Sequence, residues 1–598
     1  MSFGRSKRLR SAPQGSSMVV HRKCLVSDLP DELLLQICLY IANMDEDPPM
    51  PNSLHDTPDD IQKLRRHALV NICQASRVCR RWRNFILGEP AIWGGIIDLN
   101  CLEQRRGIWR RQVLDRTRKE TRNADLYVKG VVKHEDPLVP FLHTLLGDPR
   151  FGDTKYSIRI TKIDITVCDA DLYEEIGRLF SDCPLPKLRT LRLMLRSFNA
   201  CNGDEEVRTP AILHPDTAAL RHFESNVLSF HPDAKMLSGL RSLRISYREQ
   251  LQLPFTLDDF AVALSKMPLL ESLQICDAFQ SLQVDGQNPS LPQIYLPHLR
   301  RMTIFHEREC FPLLDAITPH PECSINLRIS ELVQDRIIIL RNALSRYVGE
   351  FAKRHIATTL LVHATHSNIN IRLSSAPNTD APEPTFSFEI DFMSETYSPD
   401  YLLGSLTACD LGLVTDLDLD LSRTMKFPNT PSHEIQEFVA RLSGVETLST
   451  NMRTIDFLDE LPPQDRPILP SLKILKLTSL LVFYGCVVVD DDNNPITLKI
   501  DANLLIDFLS VRKGQLQELD LTRCALEDNV RFLERFSGLR ITWSEHGKQE
   551  EHVCGSGEDP RRLDFGHPYE DPASAKPRRR QKRMYPWARW DPPETASS

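Results

Sequence analysis

"LSGLRSLRI", residues 237–245, carries apolar side chains at its first, fourth, seventh and ninth positions. The same frame returns in "LPKLRTLRL" (185–193), "MPLLESLQI" (267–275) and "LPHLRRMTI" (296–304). Further on it recurs in "LGLVTDLDL" (411–419), "LSGVETLST" (442–450), "LPSLKILKL" (469–477) and "GQLQELDL" (514–521). "TAALRHFES" (217–225) and "FSGLRIT" (536–542) are weaker copies. The last two apolar positions alternate with one residue between them. In a strand that puts both on one face and the intervening residue on the other. Helical patterns such as "TLDDFAVALSKM" and "EIQEFVARLSGV" precede several copies, so helix and strand alternate.

The frame is the strand half of a leucine-rich repeat. One copy cannot bury its apolar set alone, and stacked neighbours make a continuous core. The predicted fold is α/β, an irregular leucine-rich-repeat-like solenoid with a parallel sheet over 185–544. Residues 100–184 supply a linking helix and first strands. The spacing is irregular, and the centre holds a long amphipathic helix, "ELVQDRIIILRNALSRYVGEFAKRH", then two alternating segments, "SNINIRLSS" and "TFSFEIDF". Generic α/β packing is the competing reading. The outward residues form a candidate substrate face: Arg192, Arg244, Gln274 and Thr303, then Asp416, Asp418, Asp420, Ser449, Lys476 and Asp520. This row is expected to start basic and end mixed to acidic. Three aspartates on one strand face are uncomfortable unless wet or matched.

The N-terminal 24–99 reads differently. In "CLVSDLPDELLLQICLYIANM", Ser27 or Asp28 can cap a helix, Pro30 suits its first turn, and apolar residues recur at helical spacing. An acidic, proline-punctuated insertion at 44–63 reads as a surface loop. A second helical pattern runs from about Ile61 through "SRVCRRWRNFIL" and breaks at Gly88 and Pro90 before "AIW". Two of the chain's six tryptophans, Trp82 and Trp93, fall in this short span.

The order "LPDELLLQICLYI", "VCRRWRNFI", "EPAIW" resembles the F-box family, including the expanded families of mushroom-forming fungi. The family pattern opens Leu-Pro-x-Glu and continues with Val-Cys-(Arg/Lys)-x-Trp. The insertion is a departure and leaves the path between the helices open. The resemblance implies docking on a Skp-type adaptor, and through it a cullin, by Leu29, Pro30, Leu33, Leu34, Ile37, Val78, Cys79, Trp82, Ile92 and Trp93. The plainer alternative is that the tryptophans pack the module's own core.

Composition fits this class. The chain has 598 residues, 41% hydrophobic and 26% charged, with formal net charge −8. That balance argues against a whole-chain nucleic-acid binder. Fifteen scattered cysteines, with no Cys-x-x-Cys pair, suit reduced thiols in the cytoplasm or nucleus. The N-terminal 1–23 is basic, without a secretory core, and is expected to be disordered. "LLVFYGCVVV" (480–489) is too short for a membrane span and reads as a buried strand. The 545–598 segment is rich in charge, proline and glycine and is expected to be a disordered tail. Its "KPRRRQKR" (576–583) reads as solvated chain, as an import signal or, with Tyr585, Trp587 and Trp590, as an RNA contact.

No phosphate loop, dinucleotide fingerprint, zincin helix or nucleophile elbow occurs. "HATH" (363–366) and "HPEC" (320–323) each offer a pair of metal-ligand types, and one pair is not a site. "CGSG" (554–557) has a Gly-x-Gly core but lies in the expected tail, with no strand expected before it. The sequence therefore points to no catalytic residue, no cofactor and no metal. The expected function is a non-catalytic substrate receptor of a Skp-cullin-F-box ubiquitin ligase, delivering a protein substrate for proteasomal degradation. A scaffold with a merely structural F-box-like module, and an enzyme with a divergent α/β domain, are the rivals.

Overall fold

A computed structural model describes residues 29–46, 67–103 and, with breaks at connecting segments such as 197–209, 280–290 and 422–432, residues 108–565. It divides at Ile329/Ser330 into two compact units. Both are mixed α/β, built on mostly parallel strands.

In the first unit Ile97–Asp98 pairs with Leu126–Val132, which pairs in turn with Ile160–Val167. The ladder continues in parallel through Thr190–Leu195, His222–Ser225, Ser242–Ser246, Ser272–Cys276, Arg301–Phe305 and Ser324–Ile329. The apolar frame explains it. Leu237, Leu240, Leu243 and Ile245 are fully buried, as are Leu185, Leu188, Leu191 and Leu193. Neighbouring copies stay in register, so Leu243 lies beside Leu273 and Leu273 beside Met302. At several strand entries two successive amides share one carbonyl at the entry of the previous strand. Arg241 and Ser242 donate to the Arg221 carbonyl, and Glu271 and Ser272 to that of Arg241. This leaves the inner backbone groups paired, as burial requires.

The second unit repeats the pattern from Asp416–Leu421 through Thr447–Thr450, Ile474–Leu477, Glu518–Asp520 and Arg540–Glu545. The irregular centre has a physical cause. After the helix Gln334–Ala352, three strands form an antiparallel meander: Ala357–Ala364, Asn368–Ser375 and Thr385–Phe392. Ala357–Ala364 then pairs in parallel with Asp416–Leu421. Each of these strands alternates, so one face is buried without the nine-residue frame. Among the described residues no helix is long and apolar enough to cross a membrane.

The expected disordered tail begins too early. Lys548–Val553 folds back antiparallel on Arg540–Glu545, and Leu563 is buried in a turn of 3-10 helix, Pro560–Leu563. The composition misled because this strand covers a sheet edge. Its sequence, "KQEEHV", keeps charge outward and sends only His552 fully inward. The basic run 576–583 and the aromatics at 585, 587 and 590 lie outside the described residues, as does the N-terminal 1–23.

Candidate functional site

The N-terminal helices are α1 (Asp31–Ile41), α2 (Ala68–Ala75), α3 (Arg80–Gly88) and α4 (Pro90–Gly94). Ser27 and Asp28, the caps the sequence offers for α1, lie outside the described residues. Pro30 stands at the cap position and its carbonyl accepts the Leu34 amide at 3.0 Å. Of the helical pattern expected from about Ile61, the described part forms two helices. Ser76 bonds back to the Cys73 carbonyl at 2.7 Å, and Cys79 turns extended and caps α3, its sulfur accepting the Trp82 amide. Arg81 ties α1 to α3, donating to the Leu29 carbonyl at 2.5 Å and to Asp31 Oδ1 at 2.6 Å.

The ten residues predicted for adaptor docking separate into two groups. Leu34, Trp82, Ile92 and Trp93 are buried in this chain's own core, which corrects their placement on a docking face. Trp93 is only 1% exposed; its indole N–H donates to the Ile86 carbonyl at 2.6 Å, and the Arg116 guanidinium lies 4.5 Å over its ring. Pro30 is exposed, and Leu29 and Cys79 are half-buried. Leu33, Ile37 and Val78 are 46%, 37% and 60% exposed. Tyr40, which the pattern assigned only to the helix, is 71% exposed. Helix α1 is thus apolar on two faces. Leu34 and Cys38 point inward, and Leu33, Ile37 and Tyr40 recur at i, i+4, i+7 on the outside.

The insertion 44–63 is also not a surface loop from its first residue. Met44 is fully buried, and Met44–Glu46 is a turn of 3-10 helix. Lys129 donates to the Met44 carbonyl, while Tyr127 at 2.8 Å and Lys162 at 2.5 Å bind Asp45. Residues 47–63 lie outside the described residues.

The strand-face residues do form rows. In the first unit the row runs Lys129, Asp164, Arg192, Glu224, Arg244, Gln274, Thr303, Asn326. Its start alternates in charge rather than running basic. Arg192 meets Asp164 at 3.5 Å and Glu224 at 3.2 Å, and Arg244 meets the same Glu224 oxygen at 3.2 Å. Asp164 and Glu224 were missed because "ITKIDITV" lacks the frame and "TAALRHFES" ends it on Phe223 and Ser225.

In the second unit the row is Asp418, Ser449, Lys476, Asp520. Asp416, Asp418 and Asp420 share one face, opposite the buried Leu417, Leu419 and Leu421. Two of these charges are answered within the chain: His363 Nε2 stands 3.0 Å from Asp418 Oδ1, and Asn451 donates to Asp420 at 2.6 Å. His363 belongs to the "HATH" pair. His366 lies outside the described residues. In "HPEC", His320 Nδ1 accepts the Glu322 amide at 3.2 Å, and burial pushes the Cys323 thiol up to about 12.

The hydrogen bond to Asp418 raises the His363 pKa above its ordinary 6.5, with Asp420 adding to it against partial burial. A histidine raised in the folded state contributes stability that is full below its unfolded pKa and is lost as pH rises through the folded value. His363→Gln should therefore lower the unfolding midpoint most below about pH 6.5, with the difference shrinking at alkaline pH. A pH-independent difference in chemical denaturation would reject the pair as the source.

A helical module with exposed apolar residues along one helix face thus precedes strand rows of mostly half-buried polar and charged residues. Residues 26–96 match the F-box-like family model, which supports an F-box protein. F-box domains generally bind Skp-type adaptors, and the match suggests a ubiquitin-ligase adaptor or protein-interaction role. No curated protein matches the chain.

Proposed function

We propose that this chain is the substrate-recognition subunit of a Skp-cullin-F-box type ubiquitin ligase, working in the cytoplasm or nucleus. The observation that carries the reading is the outward stripe Leu33, Ile37, Tyr40 on α1, inside the 26–96 match. Apolar anchors at helical spacing on a rigid helix are what a groove-binding contact uses. Val78, just before α3, is a further exposed apolar residue of the module. The strands downstream read as an irregular leucine-rich-repeat-like solenoid, supported by the buried frame and the in-register parallel pairs. Such a chain performs no bond chemistry. It tethers a substrate near a charged ubiquitin carrier, and effective concentration supplies the acceleration.

The test is affinity purification of the full chain with the proteasome blocked. A ligase subunit brings down a Skp-type adaptor and a cullin together. A chain that retains other proteins but neither of these is a scaffold with a structural F-box-like module.

On this reading the acidic strand Asp416–Leu421 docks a basic segment of the substrate. Asp418→Lys with Asp420→Lys should weaken capture of that substrate and flatten its salt dependence, with adaptor binding unchanged. Asp418→Asn with Asp420→Asn should have a smaller effect in the same direction. Equal capture by the lysine variant, measured at two ionic strengths, would exclude this face.

A further inference from the structure

The strand rows of the first unit alternate in charge, and the rim just before those strands does not. The residue preceding each successive strand is Arg189, Arg221, Arg241, Glu271 and then Arg300, and every one of them is exposed. Each lies beside the next. The Arg221 amide donates to the Arg189 carbonyl, that of Arg241 to Arg221, that of Glu271 to Arg241, and that of Arg300 to Glu271. One residue further in, the register aligns Lys162, Thr190, His222, Ser242, Ser272 and Arg301. We propose that this rim docks an extended, carboxylate-rich segment of a partner protein. The surface stands on its own charges; taking that partner to be the substrate rests on the function proposed above.

Pairing within the chain answers only part of the rim's charge. Arg241 meets Glu271 at 2.9 Å, Arg300 meets Glu322 at 3.5 Å, and Lys162 is held by Asp45. Arg189, Arg221 and Arg301 have no ionic partner among the described residues. The surplus gathers around His222. Burial lowers its pKa, and Arg241, Arg221 and Lys162 lower it further against the one carboxylate of Glu271. Cations on adjacent strands repel one another, and an acidic ligand relieves that repulsion.

The fold does not require arginine at these positions. The second unit uses the same backbone arrangement at its strand entries. Glu446 and Thr447 donate to the Thr415 carbonyl, Lys473 and Ile474 to that of Glu446, and Gln517 and Glu518 to that of Lys473. The rim there reads Thr415, Glu446, Lys473, Gln517, with one charge of each sign. The guanidinium groups of the first rim therefore serve no backbone need, and a guanidinium fork matches a carboxylate with two parallel hydrogen bonds.

The form of the row selects the ligand. From the strand of Lys162 to that of Arg301 there are five strand spacings, about 24 Å in all. About seven residues of extended chain span that distance. A phosphate group is best held by cations that cluster on one point, and these stand in file. Glu271 also breaks the run. A nucleic-acid backbone has no uncharged unit to set against it, whereas a peptide can place a neutral or basic residue there. Single strands are further held by stacking on aromatic side chains, and the aligned row offers only the His222 ring.

The experiment uses the purified full chain and fluorescein-labelled heptaglutamate, read by anisotropy at two ionic strengths. Wild type should bind the peptide, more weakly at high salt, and should not bind heptaglutamine. Arg189→Ala with Arg221→Ala should weaken binding about tenfold or more, because each change removes a charge-assisted contact. Both side chains are exposed, so the unfolding midpoint should hold. Lys513→Ala with Lys548→Ala alters the net charge equally through exposed lysines of the second unit, and should leave binding unchanged. Glu271→Gln should tighten it, a gain that a misfolded chain cannot mimic. Equal binding by wild type and the double-arginine variant, or an equal loss in the lysine variant, would overturn the surface. Tighter binding of hepta-uridylate than of heptaglutamate, lost in the arginine variant, would overturn the choice of a peptide. Capture of a Skp-type adaptor should be the same in all these chains, so a failed rim and a failed ligase reading give different results.

Discussion

Trp93→Ala should destabilise the first unit by about 3–5 kcal/mol, the range for emptying a buried aromatic site. The substitution removes a fully enclosed ring, strands the Ile86 carbonyl and releases the Arg116 guanidinium from the ring face. An unpaired buried carbonyl adds to the cavity cost rather than replacing it. The measurement is denaturant unfolding of the full chain, followed by a probe in the first unit. Loss of adaptor binding in this variant would follow from loss of the module. A Trp93→Ala chain with an unchanged unfolding midpoint would show that the ring is not the keystone of this core.

Leu33→Asp combined with Ile37→Asp should act in the opposite way. Both side chains already face solvent, so the unfolding midpoint should hold within the scatter of surface substitutions. Binding to a Skp-type adaptor should weaken about 30-fold or more, since one hot-spot anchor is worth roughly 2 kcal/mol. Calorimetry or surface capture with a purified adaptor reads this directly. Undiminished affinity would sink the assignment of this helix face. The pair of variants separates two effects that a single tryptophan substitution confounds: Trp82 and Trp93 are buried in the core, while Leu33, Ile37 and Tyr40 are exposed.

The apolar frame was legible in the sequence because burial imposes it residue by residue. Leu243 and Ile245 must both turn inward whatever their neighbours are, and spacing alone reveals that. The long helix Gln334–Ala352 and the strands Asn368–Ser375 and Thr385–Phe392 were legible for the same reason. So was the split leucine-proline and Val-Cys-Arg-x-Trp pattern within residues 26–96.

Partnership was not legible. Nothing local distinguishes Leu33 from Leu34, or an anchor tryptophan from a core one, since side-chain chemistry is the same on either face of α1. Which face is covered depends on where α2 and α4 pack. The charges on the strand rows followed the same rule. Arg192 and Arg244 read as a basic start until Asp164 and Glu224 came beside them, and Asp418 read as unmatched until His363 did, 55 positions away. The contact of Glu534 with His552 was invisible in the same way, because the strand that carries His552 is charged and has no apolar period. Composition and periodicity determine which side chains leave water. Only the tertiary structure decides which of the remaining groups meet, because parallel pairing joins residues about thirty positions apart in register and chain order records no such distance.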